Sequence, residues 1–464
     1  MTVKDTICAI ATGMGGSGIG IIRVSGNEAI SICDRIFSGK KKIADMETYT
    51  AAFGNIVDKS DKEKILDEVV VLLMRAPRSY TTEDTVELDC HGNSFLLRKV
   101  LELLIREGAR IAEPGEFTKR AYMGGRIDMT EAEAVMDMIN AEGNAALSAS
   151  VNQLKGSLRN KITELREGII YDTAYIESAL DDPENYSLDG FSERLEKKVD
   201  DSINEIDRLL KTYDDGRILK EGIRTVIVGK PNVGKSSILN MILEEDRAIV
   251  TNIEGTTRDT LEEYIHLNGV HLKLIDTAGI RDTSDVVEKI GVEKACENID
   301  KADLVLFIVD GARELDENDE RIIKHFSDKT VITIINKDDL ERVADTSKLQ
   351  ELLKEAGCVP RILTVSAKEK AGREELSSLI SELFIKGEAH YNDQIIISRE
   401  RHKEALSDAF AALKRVKDSI QDGASEDFYT IDLMAAYESL GLVIGETLED
   451  DLADKIFSEF CMGK

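Results

Sequence analysis

The chain has 464 residues and a formal net charge of −29; that length is too great for one ordinary domain and suggests about three. So acidic a chain is excluded as a general nucleic-acid binder, so any RNA contact must be local and salt-sensitive. No apolar run reaches a membrane span, no basic-then-apolar leader opens the chain, and Cys8, Cys33, Cys90, Cys296, Cys358 and Cys461 form no C-x-x-C pair; this argues against membrane, zinc and disulfide classes and for a reducing, cytoplasmic location.

In chain order, the first region alternates short apolar strands with amphipathic helices. Strands are expected over Ile7–Ala11, Gly20–Val24, Val69–Met74 and Thr85–Cys90, and helices over Glu28–Phe37 and Ser94–Arg106. That pattern predicts a compact α+β domain, residues 1–118. From 119 to 221 the pattern turns helical. Val151, Leu154, Leu158, Leu165 and Ile169 recur at helical spacing and predict a buried stripe, which Ile203, Ile206 and Leu210 repeat. Lys155, Arg159, Lys161 and Arg166 are either a local anion patch or, as their spacing favours, a solvated helix face with pairs such as Lys161 to Glu164.

Thr225 to Val228 reads as a strand running into Gly229-Lys230-Pro231-Asn232-Val233-Gly234-Lys235-Ser236, which matches G-x-x-x-x-G-K-[ST] at every fixed position. The helical run Ser237 to Leu243 follows, and its N-terminus faces the same anion. The ligand is therefore a nucleoside triphosphate: backbone N–H groups of the loop, Val233 and Gly234 included, close on phosphate oxygens, Lys235 supplies charge and the Ser236 hydroxyl can hold Mg2+. Gly255-Thr256-Thr257-Arg258-Asp259 offers a switch threonine for the same ion, and Asp276-Thr277-Ala278-Gly279 after the strand His271 to Ile275 reaches Mg2+ and the γ-phosphate. Asn336-Lys337-Asp338-Asp339 follows the strand Val331 to Ile335. A carboxylate at Asp339 pairs with the guanine N1–H and 2-amino group, which adenine cannot offer. Ser366-Ala367-Lys368 after the strand Ile362 to Val365 suits the guanine oxygen.

Ile280 stands where many GTPases carry a water-orienting Gln. Glu288 is the candidate replacement, although spacing alone favours a solvated helix residue beside Lys289. Asn232 either aims a carbonyl oxygen at a monovalent cation that replaces an arginine finger, or shapes the loop's turn. After the nucleotide domain, residues 222–387, helical spacing resumes over 388–464 with Leu406, Phe410, Leu413, Val416 and Ile420, then Leu433 to Leu442. Two helical arms need a partner face, so they are expected to pack together rather than form separate domains. The fold class is thus multidomain α/β plus α-helical: an N-terminal α+β domain and a helical domain carrying an inserted P-loop GTPase domain of the Ras-like α/β type. There is one phosphate-loop lysine, which excludes a tandem arrangement.

The whole chain resembles the tRNA-modification GTPase family called MnmE or TrmE. The likeness rests on Asp5 to Ala9 with Gly18 to Gly26, on Ser79 to Asp84 with Glu87 and His91-Gly92, on Pro114-Gly115-Glu116-Phe117-Thr118-Lys119-Arg120-Ala121, on the nucleotide motifs, and on the terminal Cys461-Met462-Gly463-Lys464. Thr82 and Asn93 stand where the family has Gly, and Arg126 where Lys is frequent. The resemblance implies conversion of a tRNA wobble uridine to a carboxymethylaminomethyl-type derivative. It implies GTP as substrate, Mg2+ and K+, a tetrahydrofolate derivative as one-carbon donor, a homodimer, and a flavin-dependent partner, MnmG (GidA). By position, folate contacts fall on Arg23, Glu87, Arg126 and Lys464; arginines and a lysine suit its glutamate tail and a carboxylate its pterin edge. Potassium falls on Asn232, Thr251, Ile253 and Thr256, and Mg2+ on Ser236 and Thr257. Nucleotide contacts extend over Asn232 to Ser237, Thr251, Asn252, Ile253, Glu254, Gly255, Thr256 and Thr257. Lys235, Asn232 and Glu288 match the catalytic positions. Cys461 is either a nucleophile activated by Lys464 or a spectator thiol. The competing reading is a ribosome-assembly or regulatory GTPase switch.

Overall fold

The computed structural model describes residues 5–13, 15–59, 64–141, 143–243, 263–267, 270–275, 298–327, 329–384, 394–446, 450–458, 460 and 463. The chain forms two units, one of residues 1–140, 150–208 and 401–464, the other of residues 141–149 and 209–400.

In the first unit, β1 (Ile7–Ile10), β2 (Ile19–Ser25), β3 (Phe37–Gly39), β4 (Thr50–Asp58), β5 (Lys64–Met74), β6 (Thr85–His91) and β7 (Arg110–Ile111) form one sheet in the order β3-β4-β5-β6-β2-β1-β7. Neighbours are antiparallel except β1 with β7. Strand alternation sends Val69, Val71, Leu73, Val86, Leu88 and Cys90 to one face. There α1 (Ala29–Ile36) and α2 (Ser94–Arg106) close the core. Asn93 starts α2 by accepting from the Phe95 and Leu96 N–H groups, a role glycine cannot fill. Burial pushes the Cys8 and Cys90 thiols up to about 12 and raises Cys33 as well, so these cysteines are packing groups.

The expected strands and helices of this region are present, but the pattern does not predict β3, β4 or β7. The β4 sequence carries two alanines and a glycine, which dilute the strand signal. Phe37 is expected to end a helix and instead begins β3. Its ring lies 2.7 Å from where a Cβ on Gly39 would sit and 2.6 Å from one on Gly54, so two glycines make room for one aromatic side chain.

Next come α3 (Glu116–Met123), α4 (Met129–Ile139), α5 (Asn144–Leu154), α6 (Ser157–Asp181), α7 (Phe191–Leu210) and α8 (Tyr213–Glu221). The expected single stripe is interrupted, because Gly156 is left-handed at φ 81° and separates α5 from α6. The buried row on α6 is Leu158, Ile162, Ile169 and Ile176, while Val151, Leu154 and Leu165 are half-buried. Leu209, not Leu210, is the fully buried end of α7.

In the second unit, β8 (Ile223–Val228), α9 (Lys235–Leu243), β9 (Glu263–Leu267), β10 (Val270–Leu274), β11 (Leu304–Asp310), α10 (Glu317–Ile323), β12 (Thr330–Asn336), α11 (Thr346–Glu355), β13 (Ile362–Thr364) and α12 (Arg373–Phe384) build a sheet ordered β13-β12-β11-β8-β10-β9. Its strands are parallel except β9 with β10. Every residue of β11 is buried. Leu304, Leu306 and Ile308 face one apolar layer and Val305, Phe307 and Val309 the other, as a central parallel strand covered on both faces requires. Parallel strands bring their C-terminal ends to one edge, where ligand loops collect.

This unit takes in α8 and residues 394–400, beyond the 222–387 of the sequence reading. Thr212 Oγ1 accepts from the Ile397 N–H at 3.1 Å, and the Tyr213 hydroxyl donates to the Glu400 carboxylate. A Cβ on Gly216 would lie 2.2 Å from the Ile397 carbonyl oxygen. Asp303 fixes α8 to the sheet: Arg217 donates to both of its oxygens at 2.7 and 3.1 Å, and Arg224 donates its backbone N–H at 3.0 Å and its guanidinium at 3.1 Å.

The first unit resumes with α13 (Glu400–Gln421), α14 (Glu426–Ile444) and α15 (Asp450–Ser458). The arms before and after the insertion form one helical body. Lys417 of α13 pairs with Asp200 of α7 at 2.6 Å, and α14 packs on α6. Arg166 is part of that packing and not of a surface patch. It lies 4.0 Å from the Tyr437 ring centroid, pairs with Glu446 at 2.5 Å and is 7% exposed. Arg159 lies beside Asp128 and Glu131, and Lys161 pairs with Glu164, so the chain's own carboxylates neutralise these two members of the basic run.

Asp303→Ala strands two cations in a largely buried place and should cost about 3 kcal/mol, read as loss of unfolding free energy in urea. Burial raises the Asp303 pKa, but hydrogen bonds from Arg224 and Arg217 outweigh it and leave the pKa lowered. Its stabilisation is therefore complete above the unfolded carboxylate value of about 3.9 and falls as pH drops below that toward the folded value. The Asp303→Ala variant should lack this part of the acid-induced destabilisation.

Candidate functional site

The nucleotide loop leaves β8 at Gly229, whose φ of 151° and closeness to Ile308 exclude a side chain: a Cβ would lie 2.4 Å from the Ile308 carbonyl oxygen. Asn232 follows in the left-handed region at φ 61°, a conformation that asparagine tolerates. Its side chain is exposed and makes no recorded hydrogen bond among the described residues. Lys235 Nζ donates to the carbonyls of Gly229 and Lys230, both at 2.8 Å, so the loop is folded around its own lysine. Burial strips hydration from the Lys235 ammonium and lowers its pKa, and phosphate oxygens would restore the stabilisation of the charged form. Ser236 and Ser237 stand in the first turn of α9.

Asn336 ties two loops together. Its Nδ2 donates to the Val233 carbonyl at 2.9 Å, and its Oδ1 accepts from the Ala367 N–H at 3.1 Å. Both ends of the carboxamide are therefore spent inside the protein, and Asn336 acts by holding the phosphate loop against the base loop. A Cβ on Gly234 would lie 2.2 Å from this Nδ2. Ser366 Oγ donates to Asp339 Oδ1 at 2.8 Å, and Lys368 Nζ lies 3.8 Å from Oδ2. The Ser366 hydroxyl, helped by Lys368 and Lys337, holds the Asp339 carboxyl below the usual range. An ionised, pre-aimed carboxylate is what two guanine N–H donors require. Lys337 pairs with Asp310 at 2.6 Å. Asp310 is missing from the sequence reading, although an acidic residue closing a buried parallel strand is a signal of this edge.

The first unit gathers a second cluster on the face of its sheet opposite the α1 and α2 core. Arg23 of β2 and Glu87 of β6 are directly paired across the strands, with Nε to Oε1 at 2.8 Å. Arg23 also donates to the Gly463 carbonyl at 3.3 Å. Arg126 donates to the Tyr80 carbonyl at 3.0 Å and stacks its guanidinium 4.9 Å from the Tyr80 ring centroid. The Arg23 guanidinium stands 5.8 Å from the same ring and 5.6 Å from Phe117. Tyr80 is thus common to both arginines; it stands in the Ser79 to Asp84 segment, where the sequence alone gives it no role of its own. Next along β6, Asp89 has its pKa raised by burial and by the neighbouring Glu87.

The Tyr80 loop rests on a buried ion network. Arg120, 4% exposed, reaches Asp5, Glu83 and Glu116 between 2.9 and 3.2 Å, and Ser25 links Glu83 to Thr81. Thr82 sits at φ 64°, a position that favours the family's glycine. The Pro114-Gly115 turn seats the C-terminal segment: Gly115 has φ 68°, and a Cβ there would lie 2.4 Å from the Phe457 carbonyl oxygen. Gly463, at φ 87°, makes a similar approach, 2.5 Å from the Ile10 carbonyl oxygen. Close backbone contact at both places accounts for the glycines of the P-G-E-F and C-x-G-K segments.

Of the sequence candidates, Arg23, Glu87 and Arg126 come together, as do the residues of the phosphate and base loops. Thr251, Asn252, Ile253, Glu254, Gly255, Thr256, Thr257, Asp276, Thr277, Ala278, Gly279, Glu288, Cys461 and Lys464 lie outside the described residues.

Gly234→Ala should leave the fold intact and weaken GTP and GDP binding alike. Forcing a methyl against Asn336 costs about 1–3 kcal/mol, which is roughly tenfold to hundredfold in Kd by fluorescent-nucleotide titration. An unchanged Kd would show that the loop moves freely away from Asn336.

A family model for the MnmE helical domain matches residues 129–461, and one for the GTP-binding protein TrmE N-terminus matches residues 6–126. The chain is 50% identical over 463 residues to the tRNA modification GTPase MnmE of Lachnoclostridium phytofermentans, with 99% of each chain covered. It is 44% identical over 464 residues to that of Acetivibrio thermocellus and 43% identical over 466 residues to that of Clostridioides difficile, with 100% of each chain covered. Similarity at this level spans both site clusters and the helical arms alike, and the chain belongs to the MnmE family of tRNA modification GTPases.

Proposed function

We propose that this protein hydrolyses GTP in the course of tRNA wobble-uridine modification, forming a carboxymethylaminomethyl-type group together with a flavin-dependent partner of the MnmG (GidA) type. The observation that carries this beyond GTP hydrolysis is the Arg23, Glu87, Arg126 and Tyr80 cluster beside the C-terminal Gly463. Two guanidiniums, one carboxylate and an aromatic face suit a flat heterocycle with an anionic tail, which is the chemistry of a tetrahydrofolate derivative. Glu87 keeps its second oxygen for donors on a pterin edge, since Arg23 takes Oε1. Lys464 would add a third cation for the tail. When bound, the folate supplies the one-carbon unit; the residues of this chain bind and orient it.

At the nucleotide, Asp339 reads guanine and Lys235 neutralises the outer phosphates. Ser236 and Thr257 would hold Mg2+, whose charge offsets that on the phosphates. Asn232, with Thr251, Ile253 and Thr256, would hold K+. Asn232 suits this role, because its exposed side chain has no hydrogen-bond partner among the described residues and its backbone is already turned. Glu288 orients the attacking water where Ile280 cannot. A homodimer through the N-terminal domain, working in the cytoplasm, completes the reading.

Two measurements test it. GTP hydrolysis at matched ionic strength should be stimulated at least about tenfold by potassium over sodium, and Asn232→Ala should remove the stimulation. Equal rates in both salts would make Asn232 a turn residue. Isothermal titration with 5-formyltetrahydrofolate should show binding that Arg23→Ala weakens by about 2 kcal/mol. No binding to the unsubstituted protein would remove the folate assignment and leave the GTPase reading intact.

A further inference from the structure

Asp310 closes β11 at the ligand edge of the sheet, directly across from Asn336. It is 3% exposed, and none of the nucleotide motifs includes it. Its Oδ1 accepts from the Ala312 N–H at 3.0 Å, which fixes the carboxylate plane, and its Oδ2 takes Lys337 Nζ at 2.6 Å. Arg313 is the other cation nearby, at 3.6 Å, but its side chain is 70% exposed. A buried carboxylate needs a counter-charge, so Lys337 is its standing partner. Lys337 is also constrained at the backbone, where φ is 68°. It lies between Asn336, which braces the phosphate loop, and Asp339, which reads the base.

We propose that Asp310 is a positioning residue for GTP: by holding the Lys337 ammonium, it stretches the lysine stem into one wall of the guanine slot. A lysine without that anchor would sample many rotamers and would have to be ordered anew at each binding event. A pre-ordered stem offers its methylenes to the flat face of the base while Asp339 binds the edge. The two residues thus divide the work: Asp339 decides which base enters, and Asp310, through Lys337, decides how tightly any purine sits. The pairing is made before nucleotide arrives, so it acts on GTP and GDP equally and leaves the hydrolytic step alone.

The test uses the full chain and titrates GTP, GDP and inosine triphosphate, which lacks the 2-amino group. In Asp310→Asn, affinity for all three should fall by about tenfold, the GTP-to-inosine ratio should stay as in the parent, and KM should rise with kcat unchanged. Asp339→Asn should instead collapse the ratio. Lys337→Met should lose affinity to a similar extent, and the double variant Asp310→Asn/Lys337→Met should be no weaker than either single one. Additive losses, a changed base ratio in Asp310→Asn, or a drop in kcat at constant KM would each overturn the proposal. Should Asp310→Asn alone fail to fold, the double variant buries no stranded charge. Equal affinity of the double variant and Lys337→Met then supports the proposal, and a further tenfold loss overturns it.

Discussion

A folded unit inserted into another must return the chain to the place it left, and this constraint shapes the structure around residues 209 and 400. The return is made by short-range contacts. Thr212 bonds the Ile397 backbone, Tyr213 bonds Glu400, and Gly216 gives up its side chain so that the Ile397 carbonyl can approach. Because the crossings are pinned, α8 can be treated as part of the sheet it precedes, and Asp303 makes it so with two arginines. The helical arms are then free to find each other. Lys417 meets Asp200 across 217 residues of sequence, and α14 lies on α6, which is further away still along the chain.

The two residue clusters follow from two kinds of sheet. In the parallel sheet of the second unit, the strand ends themselves define the site, and short loops need only small corrections. Asn336 makes the main one, since a single carboxamide sets the distance between the phosphate loop and the base loop. In the antiparallel sheet of the first unit, one face is used by the core and the other is left for charged residues. Arg23 and Glu87 face each other across strands because they occupy paired positions of one pleat. Arg126, Tyr80 and Gly463 come from three loops, and their convergence depends on the buried Arg120 network and on glycines that admit backbone at contact distance.

Those differences explain what could be read from the chain. The phosphate and base motifs are local in sequence, so their strands and the insertion of their fold were legible. The α2 helix was legible to its ends because its periodicity and its Asn93 cap agree. Strand β4 was not, because its alanines and glycine lack the β-branched pattern and its place depends on the ring of Phe37. The helical stripe misled because periodicity counts apolar residues only. Arg166 is buried in line with isoleucines, its charge met by Glu446 and its plane by Tyr437, so the packed face includes a residue that hydropathy assigns to solvent. Asp310 was invisible, and the role of Tyr80 within its segment was too, for a related reason: their importance lies in partners that sequence spacing does not relate.

The charge of −29 can be reconciled with sites that take anions. A field of that sign repels polyanions at long range, so attraction has to arise within a Debye length, about 8 Å at physiological ionic strength. The structure concentrates cations where they act at contact. Lys235 is wrapped by the loop it serves, and Arg23 and Arg126 are held by Glu87 and by carbonyls against one aromatic ring. Elsewhere among the described residues several arginines and lysines are matched by the chain's own carboxylates, as Arg159 is by Asp128 and Glu131. Affinity for an anion must then come from donors fixed in advance rather than from the net field.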